Sequence, residues 1–475
     1  MAKIFCGFIF LAGFWASLGN AASTEASFHK IGSAMEGKIA KSGIPKSEFT
    51  MYVTVGDESP QSVLDVNSEH LMIPASVTKL TTASAVLDSF PPGTKFKTTL
   101  WFDKFPDGVV AKGPLYLKGG GDPGFVSENM WFLVNHFVRN GVSKIEGDIV
   151  VDDSLFDQTR FDESREDVRV DRAYDAPVGA MSFNWNSINI FVRPGKKGES
   201  ANVFLDPENG YTRLVNKTKT NSGAGSTISV ERDGSQAGDT LVVSGSIGTE
   251  KNEVVVYKNI THPDLWAGEN LKSFLAQRGI VVTGKVRSGL VPADAVIVAE
   301  SESKPIEQLL ADMNKFSNNF VAEMLTKNLG RKTTGPATLA DGVRKINDHL
   351  RGLGLSDKEF VIKNPSGLTR ENRLSAKSLW KVVHHLRNDF RVQPELLASL
   401  PIAGIDGTLK KRMKSGPAER WVRAKTGFLS GVAALAGYAG RKDGTVFTFV
   451  FIHNGARDES RIRALFDDCL VTLVE

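Results

Sequence analysis

Three short polar clusters interrupt apolar stretches of this chain, and each holds side chains able to do chemistry. The first is Pro74-Ala75-Ser76-Val77-Thr78-Lys79. A serine hydroxyl is a weak nucleophile at neutral pH and needs an adjacent base. Lys79 follows Ser76 by three positions, so on a helix both side chains share one face. A lysine acts as a base only when burial or a nearby positive charge lowers its pKa. A helix N-terminus also favours negative charge developing there. Taken alone, the same pair fits an ordinary first helical turn with a surface lysine.

The second cluster is Ser317-Asn318-Asn319, between the helical patterns Ile306, Leu309, Leu310, Met313 and Phe320, Met324, Leu325. It reads either as an inter-helix loop or as a site where Ser317 relays a proton and Asn319 hydrogen-bonds a substrate amide. The third is Lys425-Thr426-Gly427, on an apolar strand. Either Lys425 marks an edge strand, or it supplies positive potential. Thr426 would then bind a carboxylate, and Gly427 would admit substrate backbone. Other motifs carry less. Gly119–Gly124 fits the spacing of a dinucleotide loop, but Asp122-Pro123 inside it suits a turn better. There is no Gly-x-Ser-x-Gly elbow, which weighs against an α/β-hydrolase triad. The histidines show no His-Glu-x-x-His spacing, and adjacent His384 and His385 diverge on a helix. No metal and no cofactor is expected.

These residues need elements to hold them. Phe49–Val55 and Ser62–Val66 alternate around Gly56-Asp57-Glu58-Ser59-Pro60, a hairpin signal. A helix is expected from about Ser76 to Phe90, stopped by Pro91-Pro92-Gly93. Near the other end, strands are expected over Val422–Phe428, Gly431–Gly440 and Val446–His453, with a turn at Asp443-Gly444. In the last stretch Ile462, Leu465, Phe466, Cys469, Leu470 and Leu473 share one helical face. The two termini therefore build one α/β sandwich. Between them, about 95–295, strands and turns dominate: Leu115–Lys118, Lys144–Val151, Asn186–Val192, Thr227–Val230, Thr240–Ile247 and Asn252–Tyr257. That middle reads as one or two inserted β-rich domains, with a further insertion near 195–250.

Size and charge bound the partners. A chain of 475 residues suggests two or three domains. Apolar residues make up 41 % and charged residues 24 %, ordinary for a soluble protein. The net charge of +4 is too diffuse to argue for nucleic acid, and the basic run Lys410-Lys411-Arg412-Met413-Lys414 has no interleaved aromatics. Lys3, an apolar run over 4–18 and Gly19-Asn20-Ala21-Ala22 read as a secretory leader, residues 1–22, cut near Ala21 or Ala22. The run is shorter than the roughly 20 residues a membrane span needs. The mature chain is thus expected outside the cytoplasm, in the periplasm, with at most loose membrane association. Cys6 leaves with the leader and Cys469 remains as a core residue.

In their order, Ser-x-x-Lys, Ser-x-Asn and Lys-Thr-Gly resemble the motif set of penicillin-binding proteins and serine β-lactamases. The gap from Ser76 to Ser317 is more than twice that from Ser317 to Lys425. Class A β-lactamases have a much shorter first gap. A long one holding β-rich insertions resembles the low-molecular-mass class C penicillin-binding proteins, the D-alanyl-D-alanine carboxypeptidase/endopeptidase family. Gly119-Gly120-Gly121-Asp122-Pro123, Asn184-Trp185-Asn186-Ser187, Pro365-Ser366-Gly367-Leu368-Thr369-Arg370 and Pro401–Leu409 resemble further segments of that family. Asn364 and Thr369 depart from it, where it usually carries Asp and Ser.

The resemblance implies an α/β transpeptidase-like fold, an antiparallel sheet flanked by helices. The catalytic domain would run over 23–94 and 296–475, with the β-rich domains inserted at 95–295. It implies a peptidoglycan D,D-peptidase, carboxypeptidase or endopeptidase, that acts on stem peptides and is acylated by β-lactams. Lys79 would take the Ser76 proton. The N–H groups of Ser76 and Phe428 would hold the oxyanion. Ser317 and Lys425 would protonate the leaving amine, and Thr426 would hold the terminal carboxylate. In Val150-Val151-Asp152-Asp153-Ser154, Asp152 rather than Asp153 would face the peptide side chain, and a plain surface carboxylate is the other possibility. A β-lactamase is the competing hydrolase, separated by deacylation rate. A non-catalytic peptidoglycan-binding module is the competitor outside enzymes.

Overall fold

The computed structural model describes residues 27–165, 171–456 and 458–475. The leader over 1–22 lies outside the described residues.

Both chain termini contribute to one antiparallel sheet. Its strand order is Val422–Leu429, Val432–Gly440, Val446–Asn454, Phe49–Val55, Gln61–Val66. The three central strands are buried almost throughout, because both faces of the sheet are covered. Alternation sorts their side chains. Ala433, Leu435, Phe449 and Phe451 meet the helix over 27–41 and the C-terminal helix Glu459–Val474. Ala434, Ala436, Val450 and Ile452 meet the apolar faces of Lys79–Ser89, Ile306–Lys315, Asn319–Leu329 and Ala376–Asn388. The C-terminal helix buries the six residues its periodicity selects, Cys469 included, and burial pushes that thiol up to about 12. The fold is the α/β arrangement of antiparallel sheet and flanking helices expected from the sequence.

Between the two halves lies the inserted region, which is less purely β than its sequence suggests. Two helices, Ser127–Val138 and Pro263–Gln277, pack in its core through Leu133, Phe137, Trp266 and Leu271. Its five-stranded sheet runs Val286–Ser288, Ile149–Asp152, Leu115–Lys118, Lys97–Phe102, Val296–Glu302. The last strand lies beyond position 295, because it pairs with Lys97–Phe102. The single strand expected over Lys144–Val151 is two, Lys144–Glu146 and Ile149–Asp152. The break falls at Gly147, where a Cβ would sit 2.1 Å from the Gly113 carbonyl oxygen. Three three-stranded sheets hold Thr212–Asn221, Gly238–Gly248, Ser229–Ser235, then Val254–Asn259, Ser187–Arg193, Asn202–Asp206, and Val281–Val282, Lys144–Glu146, Val110–Lys112.

The insert is fastened to the helix Asn319–Leu329, which carries a candidate site residue at its start. Asn328 Nδ2 donates to the Gly121 carbonyl at 2.8 Å. Lys327 pairs with Asp157 and donates to the Thr159 carbonyl at 2.7 Å. The Gly119–Gly124 stretch is a turn, with Gly121 at φ +78° and Asp122 accepting from the Gly124 N–H.

Candidate active site

Ser76 sits in a single 3₁₀ turn, Ala75–Thr78, that runs into the helix Lys79–Ser89. The helix expected from Ser76 therefore starts as a tighter turn. Ala75 holds φ +48°, a left-handed conformation rare for residues with a Cβ. Such strain costs on the order of 1–3 kcal/mol and persists only where surroundings enforce it. Two contacts do so. Thr78 Oγ1 donates to the Ala75 carbonyl at 2.8 Å. Gly367, at φ +77°, lies so close that a Cβ there would be 2.0 Å from the same oxygen.

Lys79 Nζ is 3.1 Å from Ser76 Oγ, 2.8 Å from Asn319 Oδ1 and 2.5 Å from the Ser366 carbonyl oxygen. Asn319 orients its amide by donating Nδ2 to the Tyr174 carbonyl at 3.2 Å, which leaves Oδ1 for Lys79. Both oxygens are pure acceptors. A neutral lysine amine has two N–H bonds and one lone pair. If the N–H bonds go to Asn319 and Ser366, the lone pair faces the serine hydroxyl. Its surroundings favour the neutral amine. Burial depresses its pKa well below the ordinary lysine value. The Lys425 and Arg165 charges push it the same way, against the opposing pull of Glu323.

Ser317 lies two residues past the helix Ile306–Lys315 and holds φ +55°, left-handed like Ala75. Asn318 then caps the next helix by accepting from Val321 N–H at 3.2 Å. Lys425 Nζ donates to Ser317 Oγ at 2.8 Å and to the Thr426 carbonyl at 2.7 Å. Lys425 is fully buried, and burial lowers its pKa to about 7. Thr426 Oγ1 is 2.8 Å from Thr408 Oγ1. Phe428 is exposed, with the Arg463 guanidinium 5.6 Å from its ring centre. Gly427 serves the fold in a way its sequence context did not indicate. A Cβ there would lie 2.8 Å from the Pro74 carbonyl and 3.2 Å from Val77 N, so glycine lets the strand press against the Ser76 turn.

Ser76, Lys79 and Asn319 thus meet through hydrogen bonds, as do Ser317 and Lys425. Asp152, the residue expected to face a substrate side chain, lies at the end of the strand Ile149–Asp152. Its buried carboxylate accepts from Ser154 N at 3.0 Å, Ser154 Oγ at 2.6 Å and Val291 N at 3.0 Å. An aspartate at a strand end caps its own turn, and these bonds tie it to the fold. Asp153 is likewise buried and paired with Arg160. Ser366, whose carbonyl holds Lys79, was visible in the sequence only as part of a family-like loop. Nothing in the sequence pointed to Glu323, a buried acid among the apolar residues of its helix.

Fold and site together define a serine-type hydrolase. A family model described as D-Ala-D-Ala carboxypeptidase 3 (S13) matches residues 33–472, and the chain belongs to that family. It is 32 % identical over 399 residues to a D-alanyl-D-alanine carboxypeptidase of Actinomadura sp. (strain R39), covering 81 % of this chain and 73 % of the relative. It is 26 % identical over 438 residues to D-alanyl-D-alanine carboxypeptidase DacB of Haemophilus influenzae, covering 87 % and 86 %. The crystal structure of penicillin binding protein 4 (dacB) from Haemophilus influenzae superimposes with a TM-score of 0.78 at 22 % identity, covering 93 % of this chain and 99 % of that one.

Proposed function

We propose that this enzyme cleaves the bond after a D-alanine in peptidoglycan stem peptides through an acyl-enzyme on Ser76. The observation that carries it is the Lys79 amine, buried and flanked by two acceptors, with Ser76 Oγ at 3.1 Å. Lys79 takes the hydroxyl proton as Oγ attacks the D-Ala carbonyl carbon. The oxyanion lies between the backbone N–H groups of Ser76 and Phe428. Removing one such donor costs about 10²–10³ in rate. Lys425 and Ser317 deliver a proton to the leaving amine, and Thr426 holds the terminal carboxylate. Water then cleaves the ester.

β-Lactams present a strained amide to the same serine and acylate it. The Haemophilus penicillin binding protein 4 has a structure complexed with a β-lactam, superimposing at a TM-score of 0.73, which supports this. We take the catalytic domain to be 23–94 with 296–475 and the insert to be 95–295, with the strand Val296–Glu302 pairing back onto the insert's sheet. We also take the leader to be cut near Ala21 or Ala22, giving a periplasmic enzyme. Among the described residues no helix is long and apolar enough to cross a membrane.

Digestion of purified monomeric and cross-linked muropeptides tests the reaction. Loss of terminal D-Ala from monomers shows carboxypeptidase action, and conversion of dimers to monomers shows endopeptidase action. Ser76→Ala should abolish both; equal activity in that variant would refute the assignment. Rapid steady-state turnover of penicillin would instead make the protein a β-lactamase.

A further inference from the structure

Lys79 is held from behind by the Ser366 carbonyl, and Ser366 is itself held. Its Oγ lies 2.6 Å from Asn364 Oδ1 and 3.2 Å from Glu323 Oε1, and its N–H donates to Asn364 Oδ1 at 2.9 Å. Asn364 Nδ2 faces two carboxylates, donating to Glu323 Oε1 at 3.3 Å and to Asp162. Glu323 also pairs with Arg165, which pairs in turn with Asp175. Glu323, Asn364, Ser366 and Arg165 are all buried.

This cluster joins three parts of the chain. Glu323 lies one helical turn beyond Asn319 on the same helix. Asn364 and Ser366 belong to the loop against the Ser76 turn. Arg165, Asp162 and Asp175 come from the inserted region. A carboxylate taken from water is costly unless its oxygens are satisfied, and one oxygen of Glu323 alone serves Arg165, Asn364 and Ser366. The proposed reaction leaves these bonds without a part in any bond-making step.

We propose that Glu323 is a positioning residue for Lys79: anchored by Arg165 of the insert, it fixes Ser366 so that the Ser366 carbonyl holds the lysine amine against Ser76. The inference rests on the proposed role of Ser76 and Lys79 and adds to it how the base is kept in place. It also explains Asn364. The side chain must accept from Ser366 and donate to two acids, which an amide does and an ionised aspartate cannot. Among the described residues, the charges facing Glu323 and Lys79 are Arg165, Asp162 and Asp175 from the insert and Lys425 on the sheet.

The test is the rate of acylation of purified full chain by a fluorescent penicillin from pH 5 to 10, with thermal unfolding measured alongside. Glu323→Gln should lower the plateau rate at least tenfold, since small misplacements of a catalytic group are expensive in rate. It should also move the acid limb to lower pH. Loss of the Glu323 negative charge, with the Arg165 guanidinium still beside the site, disfavours protonated Lys79 further, so the free base persists to lower pH. Ser366→Ala keeps the carbonyl and removes the link, so it should lower the plateau as well; this covers the case in which Glu323→Gln does not fold. A plateau and acid limb like wild type in Glu323→Gln would overturn the inference. So would a rate loss that tracks lost folded protein with no shift of the limb, or wild-type acylation in Ser366→Ala. Labelling of Ser76→Ala like wild type would instead sink the underlying assignment of the nucleophile, and the inference with it.

Discussion

Lys79 and Lys425 are both fully buried, yet their environments ask different things of them. Lys79 has two fixed acceptors and a hydroxyl, the setting of a base. Replacing it with methionine should lower penicillin acylation by about 10²–10⁴, the usual weight of a general base, as read by intact-protein mass spectrometry against time. Lys425 has a folded pKa of about 7 against an ordinary 10.5. Between those values the unfolded chain binds a proton that the folded chain lacks. The lysine's contribution to stability therefore rises with pH across that window and is flat below it. Lys425→Met should flatten the rise in urea midpoint between pH 7 and 10. An unchanged slope would show that Lys425 titrates normally in the fold.

At the scale of elements, the active site depends on loops that only glycine can bring close. Gly367 combines a positive φ with a backbone neighbour at 2.0 Å from any added Cβ. Gly367→Ala should therefore displace the Ala75-Ser76 turn, costing about 1–3 kcal/mol in stability and slowing acylation further. Chemical unfolding and labelling kinetics on the same sample check both. Serine near this turn was conspicuous in the sequence, but the strain at Ala75 and Ser317 was not. Neither residue is a type that favours left-handed backbone, and only the packing around them imposes it.

Across the whole molecule, the ends of the chain close one core. Leu470 of the C-terminal helix is fully buried against the sheet that begins at Phe49. Leu470→Ala should cost about 2–5 kcal/mol by urea unfolding. The insert is held to the catalytic part by side-chain bonds such as Asn328 to Gly121. Asn328→Ala leaves that buried carbonyl without this donor, costing about 1–3 kcal/mol. Faster limited proteolysis of the insert would report the loosening.

Much of this was legible in the sequence. Alternation marked Phe49–Val55 and Ser62–Val66, Ile462 through Leu473 marked the closing helix face, and three ordered motifs marked Ser76, Lys79, Ser317, Asn319 and Lys425. Such signals are local: a period or a spacing survives in one dimension. The helices of the insert were less visible there, because strand and turn signals dominated the region. What the tertiary structure decided was non-local. It tied Asp152 to Val291, made Gly427 a contact for Pro74, and set a buried acid, Glu323, behind the Ser366 loop. Burial and hydrogen-bond partners are properties of segments tens to hundreds of residues apart meeting in space, so no spacing along the chain encodes them.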